Sequence, residues 1–269
     1  MPRTPFADHA VVLTGASSGI GRHLALQLAE QGAKLVLASR GQERLGAVAL
    51  ACRERGAEAE AVATDVADEA ACKALVERAV ARFGRIDVLI NNAGRTMWSL
   101  FEEMKTLDPF RRLMEINYLG SVYCTYYALP HLKRSRGRIV AVSSLTGKTG
   151  VPTRSGYAAS KHAMVGFFDT LRIELLGSGI SVTVACPDFV ATETRARAFG
   201  ADGRPIGTSP VQEGRIMSAE VCARRILRGA ARRRRELVMS RRGKLGLWLK
   251  LIAPGLVDRI ALAAIRRGR

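Results

Sequence analysis

The sequence predicts an α/β fold: one doubly wound parallel sheet of about seven strands, with helices on both faces. Three observations predict it. Short apolar runs alternate with helix-spaced segments along the chain. The first run leads into a glycine-rich turn and then a helical pattern. Gly15, Arg40, Asp65, Asn92, Ser144 and Pro187 all fall at the carboxyl ends of predicted strands. That is the edge of such a sheet where ligands lie.

The elements follow in order. Residues 8–14 form a buried strand ending at Gly15. The turn Thr14-Gly15-Ala16-Ser17-Ser18-Gly19-Ile20-Gly21 precedes a helix marked by Leu24, Ala25, Leu28 and Ala29. Gly15 permits a tight turn; Gly19 and Gly21 let backbone N–H groups approach a pyrophosphate, where a helix start favours negative charge. A second strand, 34–39, ends at Arg40. In a dinucleotide fold this position faces the adenine ribose, where an acid grips the 2′-hydroxyl. Arg40 instead suits a 2′-phosphate, with the Ser39 hydroxyl beside it, so the reading favours NADP(H). A solvated loop charge is the alternative.

A helix over 42–55, a strand over 58–64 ending at Asp65-Val66, and a helix over 68–83 come next. A fourth strand, 86–90, leads into Asn91-Asn92-Ala93-Gly94. One long helix is expected over 108–132; Asn117 within it reads alternatively as a helix-to-helix hydrogen bond. The fifth strand runs from Arg138 to Ser143, with Ser144 at its mouth. The run Met164, Phe167, Phe168, Leu171, Leu175 makes a helix of the segment opening at Ser155. A sixth strand, 180–185, precedes Cys186-Pro187-Asp188. Residues 191–217 are rich in Gly, Thr, Arg and Pro and read as a mobile lid over the site. A helix at about 218–230 and a short strand at 236–239 close a single domain over 1–240.

The chemistry centres on Tyr157 and Lys161, which share a helix face at i, i+4. A fixed ammonium makes a neighbouring phenol more acidic, which a group of pKa near ~10 needs for proton exchange at neutral pH. With Ser144 they converge on one polar oxygen; a solvated helix pair is the bland alternative.

Together these motifs resemble the short-chain dehydrogenase/reductase family, over about residues 8–240. The stretch Ser143 to Lys148 and the later Gly166-Phe167-Phe168 resemble the branch holding 11β-hydroxysteroid dehydrogenases. The resemblance implies a Rossmann-type fold and hydride exchange with a nicotinamide. It implies Tyr157 as general acid/base, Lys161 on its pKa and on the nicotinamide ribose, Ser144 on the substrate oxygen, and Asn117 holding a water. It also implies adenine contacts from Asp65 and Val66, a wall of Asn92, Ala93 and Gly94, and nicotinamide contacts from Val190 and Thr192. Two features depart from the family pattern. Pro187-Asp188 stands where Pro-Gly is common, and Ser18 replaces the basic residue that some NADP-specific members carry in the glycine loop.

Composition sets the remaining bounds. The net charge is +18, and 15 Lys/Arg against two acids lie between Arg224 and Arg269. The basicity therefore belongs to the end of the chain. Cys52, Cys72, Cys124, Cys186 and Cys222 contain no Cys-x-x-Cys pair and read as buried, reduced thiols of an intracellular, cytoplasmic protein. His9, His23, His131 and His162 lack ligand spacing, so no metal is expected. The N-terminus enters a strand almost at once, which argues against a secretory leader. In 241–269, Leu247, Trp248, Leu249, Leu251, Ile252, Leu256, Val257 and Ile260 alternate with basic clusters. Lys250, Pro254 and Asp258 break the run, so it reads as a kinked amphipathic segment lying on an anionic membrane. Packing in a homodimer or homotetramer is the alternative; nucleic acid is disfavoured, since Trp248 among leucines is no stacking platform. The expected substrate is a hydrophobic alcohol or ketone of steroid, retinoid or lipid type. A 3-oxoacyl (carrier protein/CoA) reductase and a catalytically silent NADP-binding scaffold are the alternatives. Pocket walls are expected around 95–101, 145–154 and 191–217, where Met97, Trp98 and Phe199 line the cavity or pack.

Overall fold

Strand residues of alternating parity feed two separate cores. In the computed structural model, which describes residues 4–193, 195–208 and 216–266, β1 (Ala10–Thr14) sends Val11 and Leu13 to one face and Val12 to the other. β2 (Lys34–Ser39) pairs with it in parallel, Val11 opposite Leu35 and Leu13 opposite Leu37, so both strands split their side chains alike. A strand buried on both faces reads as an unbroken apolar run, which is why these segments were legible.

The other strands are β3 (Ala59–Ala63), β4 (Val88–Asn91), β5 (Arg138–Val142), β6 (Ser181–Cys186), the two-residue β7 (Val190–Ala191) and β8 (Met217–Ser218), and β9 (Glu236–Val238). The main sheet has seven strands in the order β3-β2-β1-β4-β5-β6-β9, all parallel. Helices α1 (Gly19–Ala29), α2 (Gln42–Arg53) and α7 (Ala219–Ala231) cover one face. Helices α3 (Glu69–Phe83), α5 (Gly120–Ser135) and α6 (Ser155–Glu174) cover the other. Strand order reverses between β1 and β4, which opens a crevice at their carboxyl ends.

Helix ends follow local chemistry. The Asp68 carboxylate caps α3 by accepting from the Ala70 and Ala71 N–H groups at 2.8 and 3.3 Å. The left-handed Gly84, φ 71°, ends it.

Two expectations are corrected. The single helix over 108–132 is α4 (Asp108–Leu113), a π-turn (Met114–Leu119) and α5. Hydrophobic spacing does not reveal one extra residue per turn. The stretch 191–217 is also no free insertion where it is described. Phe199 N–H donates to Thr96 O, and Trp98 N–H donates to Phe199 O at 2.8 Å. The Phe199 ring lies between the guanidinium groups of Arg95 and Arg112, 4.5 and 4.9 Å from its centroid. Residues 194 and 209–215 of that stretch lie outside the described residues.

The C-terminal segment forms α8 (Arg241–Ile252) and α9 (Pro254–Arg266), broken at the expected proline. Among the described residues no helix is long and apolar enough to cross a membrane. All five cysteines are buried and free.

Candidate active site

A cleft of about 410 Å³ lies over the carboxyl ends of the central strands. It gathers every predicted site residue except Gly19 and Asn117. Gly19 opens α1 with φ 53° and borders the neighbouring depression.

The glycine turn is built for close approach. A Cβ on Gly21 would stand 2.0 Å from Gly15 O, and one on Gly15 would stand 2.7 Å from Ala93 Cα. Asn92 pins this turn, its Nδ2 donating to Thr14 O at 3.0 Å and Gly15 O at 3.1 Å. Its side chain therefore works on the turn rather than as a bare wall. The Thr14 hydroxyl accepts from the N–H groups of Asn92 and Ala93. Ser18 makes no capping bond to α1 and no acid stands in its first turn, so the positive helix end faces the cleft.

At the far end, Arg40 follows β2 as predicted and lies 3.9 Å from the Asp65 carboxylate. The Ser39 hydroxyl is buried with no hydrogen-bond partner, an open position for a ligand. Besides Arg154 and Arg195, three more arginines line the same cleft: Arg44, Arg95 and Arg197. Burial, then the positive charges of Arg40, Arg112 and Arg197, lower the Arg95 pKa. Burial and the neighbouring Arg44 and Arg40 lower that of Arg197. Arg197 donates to Ser18 Oγ at 2.8 Å, so a guanidinium reaches the glycine loop after all, from a segment 179 residues away. Sequence reading missed these three because sequence distance hides their convergence. This donor set fits an anionic dinucleotide.

The chemistry-bearing end is set by α6. Gly156 lets the helix pack tightly, since a Cβ there would meet the Phe110 ring at 2.8 Å. Lys161 is buried and Tyr157 partly buried, with the lysine Nζ 5.9 Å from the tyrosine ring centroid. Ser144 caps the turn after β5 by accepting from Thr146 N–H at 3.2 Å. The Tyr157 pKa is raised, not lowered, because burial penalises the phenolate. The Arg154 charge and the hydroxyls of Ser144 and Thr146 pull the other way. The Lys161 Nζ donates to Val142 O at 2.9 Å. Burial lowers the lysine's own pKa to about 8.

Asn117 makes the helix-to-helix hydrogen bond of its alternative reading, to Ser160 of α6. Its Oδ1 accepts from Arg95 N–H at 2.8 Å, and its Nδ2 donates to Arg95 O and Ser160 Oγ at 2.9 and 2.8 Å. Both amide hydrogens are spent on tying residue 95 to α6, while Oδ1 keeps a second lone pair for a further donor. Gly94 fits beside it because a Cβ would come 3.0 Å from Asn117 Oδ1.

Asp188 is accommodated without left-handed backbone; its carboxylate accepts from Phe189 N–H and from Ser240 Oγ. Val190 is buried and Thr192 borders the cleft. Met97 and Phe199 are core rather than lining, and Trp98 stacks on Arg154.

Comparison with known proteins agrees with this geometry. The short chain dehydrogenase family model matches residues 9–202. The chain is 39% identical over 258 residues to 11-beta-hydroxysteroid dehydrogenase A of Sesamum indicum, covering 94% of this chain and 74% of that protein. It is 38% identical over 251 residues to 11-beta-hydroxysteroid dehydrogenase-like 4A of Arabidopsis thaliana, covering 92% and 81%. The fold matches a short chain dehydrogenase/reductase from Burkholderia phymatum, crystallised with NAD, with a TM-score of 0.82, 26% identity and coverage of 94% and 96%. A parallel sheet with a glycine turn at its switch point, and a Ser-Tyr-Lys group over the same edge, therefore carry the family's name as well as its shape: the chain belongs to the short-chain dehydrogenase/reductase family, an oxidoreductase with a nicotinamide-dinucleotide fold.

Proposed function

We propose that the protein interconverts a hydrophobic alcohol and its ketone or aldehyde, using NADP(H). The observation that carries this is the single cleft that joins Ser144, Tyr157 and Lys161 at one end to four arginines at the other. The nicotinamide, when bound, exchanges a hydride with the substrate carbon. Every other task falls to the chain. Ser144 holds the substrate oxygen and Tyr157 gives or takes its proton. The buried Lys161, with its pKa of about 8, is still cationic at neutral pH and steadies charge beside the phenol. Arg40, Arg44, Arg95 and Arg197 favour the extra phosphate of NADP(H) by charge, and the orphan Ser39 hydroxyl adds a donor. A NAD-type site would place an acid after β2.

The hydrophobic substrate class rests on Leu145, Val151, Pro187 and Phe189 in the wall and on the hydroxysteroid names of the relatives. The test is cofactor consumption across steroids, retinaldehyde, acetoacetyl thioesters and small aldehydes. NADPH-linked reduction of the lipid ketones above the thioesters is expected; thioester preference favours the 3-oxoacyl alternative, and no turnover of any ketone favours the silent scaffold.

The same reading puts the protein on an anionic membrane surface through α8 and α9. Leu245, Trp248, Leu251 and Ile252 of α8 are exposed, as are Leu256, Ile260 and Leu262 of α9. Arg241, Arg242, Lys244 and Arg259 supply the complementary charge. The base of α8 rests on the site loop, where Gly243 packs against Leu145, and Lys250 Nζ donates to Lys148 O at 3.1 Å. A substrate leaving the bilayer would meet the cleft there. Sedimentation with phosphatidylserine vesicles is expected for the full chain, with release by truncation after Arg242 or by Trp248→Glu with Leu251→Glu. A full-length protein that ignores such vesicles ends the membrane reading.

A further inference from the structure

The residue that opens the catalytic helix is a buried cation with almost nothing to hold. Arg154 is 7% exposed and lines the cleft beside Tyr157. Its Nη1 donates to Thr96 Oγ1 at 3.2 Å, whereas its Nε and Nη2 are buried without a hydrogen-bond partner. Among the described residues no carboxylate pairs with it, and the neighbouring charge that acts on it is the like-charged Arg195. Aromatic faces hold it instead. The guanidinium carbon lies 4.5 Å from the Trp98 ring centroid, 5.5 Å from that of Phe189 and 5.9 Å from that of Tyr157.

Such an arrangement is expensive. A buried guanidinium with open donors loses hydration that ring faces restore only in part. The backbone before it is strained as well: Thr153 has φ 69°, a region that β-branched residues rarely enter. Its carbonyl is fixed there by the Ser99 N–H at 3.0 Å. Strain and desolvation that hold one cation in a ligand cleft point to a ligand that answers it. A guanidinium stacked on its faces leaves the donors of its edge unpaired, and that edge matches the two oxygens of a carboxylate.

We propose that Arg154 is a specificity-determining residue that binds a carboxylate on the substrate, so that the preferred substrate is an amphiphilic oxo or hydroxy acid. The proposal rests on the oxidoreductase reading above and narrows its substrate class. The apolar skeleton lies against Leu145, Val151 and Phe189. The reacting oxygen meets Ser144 and Tyr157, and the acid pairs with Arg154 a few bonds away. A site built around a buried donor discriminates strongly against analogues that leave it unpaired.

The test uses the full chain and medium-chain oxo acids with the ketone at successive positions, each beside its methyl ester. In the wild type, kcat/KM with NADPH is expected to favour the best acid over its ester by about a hundredfold. In Arg154→Met that acid-to-ester ratio should fall at least tenfold, and Arg154→Lys should restore part of it. An unchanged ratio in Arg154→Met overturns the proposal, because a role exerted only through Tyr157 or the fold would slow both members alike. A wild type that reduces ester and acid equally also overturns it, and leaves the oxidoreductase reading standing. A second arm needs no turnover. Calorimetric titration with a saturated fatty acid in the presence of NADP⁺ should show binding that weakens at least tenfold in Arg154→Met. Binding there without reduction of any ketone would keep the subsite and sink the reaction assigned to it. Absent or unchanged binding overturns the subsite.

Discussion

Tyr157→Phe is expected to lower kcat for NADPH-linked ketone reduction by about a thousandfold, with little change in NADPH affinity. The hydroxyl is the only group removed. The ring, which packs on the cluster of Met97, Leu113 and Phe199, stays in place. Steady-state turnover beside a fluorescence titration of NADPH separates the two quantities. Turnover within tenfold of wild type would take the proton-transfer role away from this residue. The pH dependence gives a second handle. Burial raises the Tyr157 pKa, so the phenol is protonated throughout the neutral range. Reduction needs the proton and should be flat there, declining only on the alkaline side as the phenol ionises. Oxidation of the alcohol needs the phenolate and should climb with pH over the same range. Both trends should be absent from the residual activity of the phenylalanine variant.

Arg40→Asp should move cofactor preference from NADPH toward NADH by about a hundredfold in the ratio of kcat/KM. One charged hydrogen bond to a phosphate contributes roughly 1.5–3 kcal/mol, which is about one to two decades. The new carboxylate also repels the phosphate and can accept from a ribose hydroxyl. The swing is bounded, because Arg44, Arg95 and Arg197 still line the cleft and favour an anion. It is bounded again because Asp65 lies close by, so the variant sets two carboxylates side by side. Arg40→Ala separates the parts: it should cost NADPH efficiency without any gain for NADH. An unaltered preference in Arg40→Asp would assign Arg40 to solvent.

Chain order and spacing determined the sheet, because the central strands β1, β2, β4, β5 and β6 are buried on both sides and advertise themselves as apolar runs. They also determined the glycine turn and the Tyr157–Lys161 pair, since one element places each of these motifs. What an element's own period cannot encode lay out of reach. The π-turn around Asn117 changes hydrogen-bond length without changing hydrophobic spacing. The tying of Phe199 to Thr96 and Trp98 joins segments about a hundred residues apart. The guanidinium on Ser18 comes from Arg197, Lys161 reaches the Val142 carbonyl, and Asn117 bonds the Arg95 main chain and the Ser160 hydroxyl.

By itself, then, the sequence determined which candidate residues gather in one cleft and at which edge of the sheet they stand. Only the tertiary structure decided their electrostatics. It buried Lys161 and enclosed most of Tyr157, moving both pKa values toward the neutral forms, and it left Arg154 enclosed among aromatic rings. Desolvation depends on what packs around a group in space, and a linear pattern carries no direct record of that.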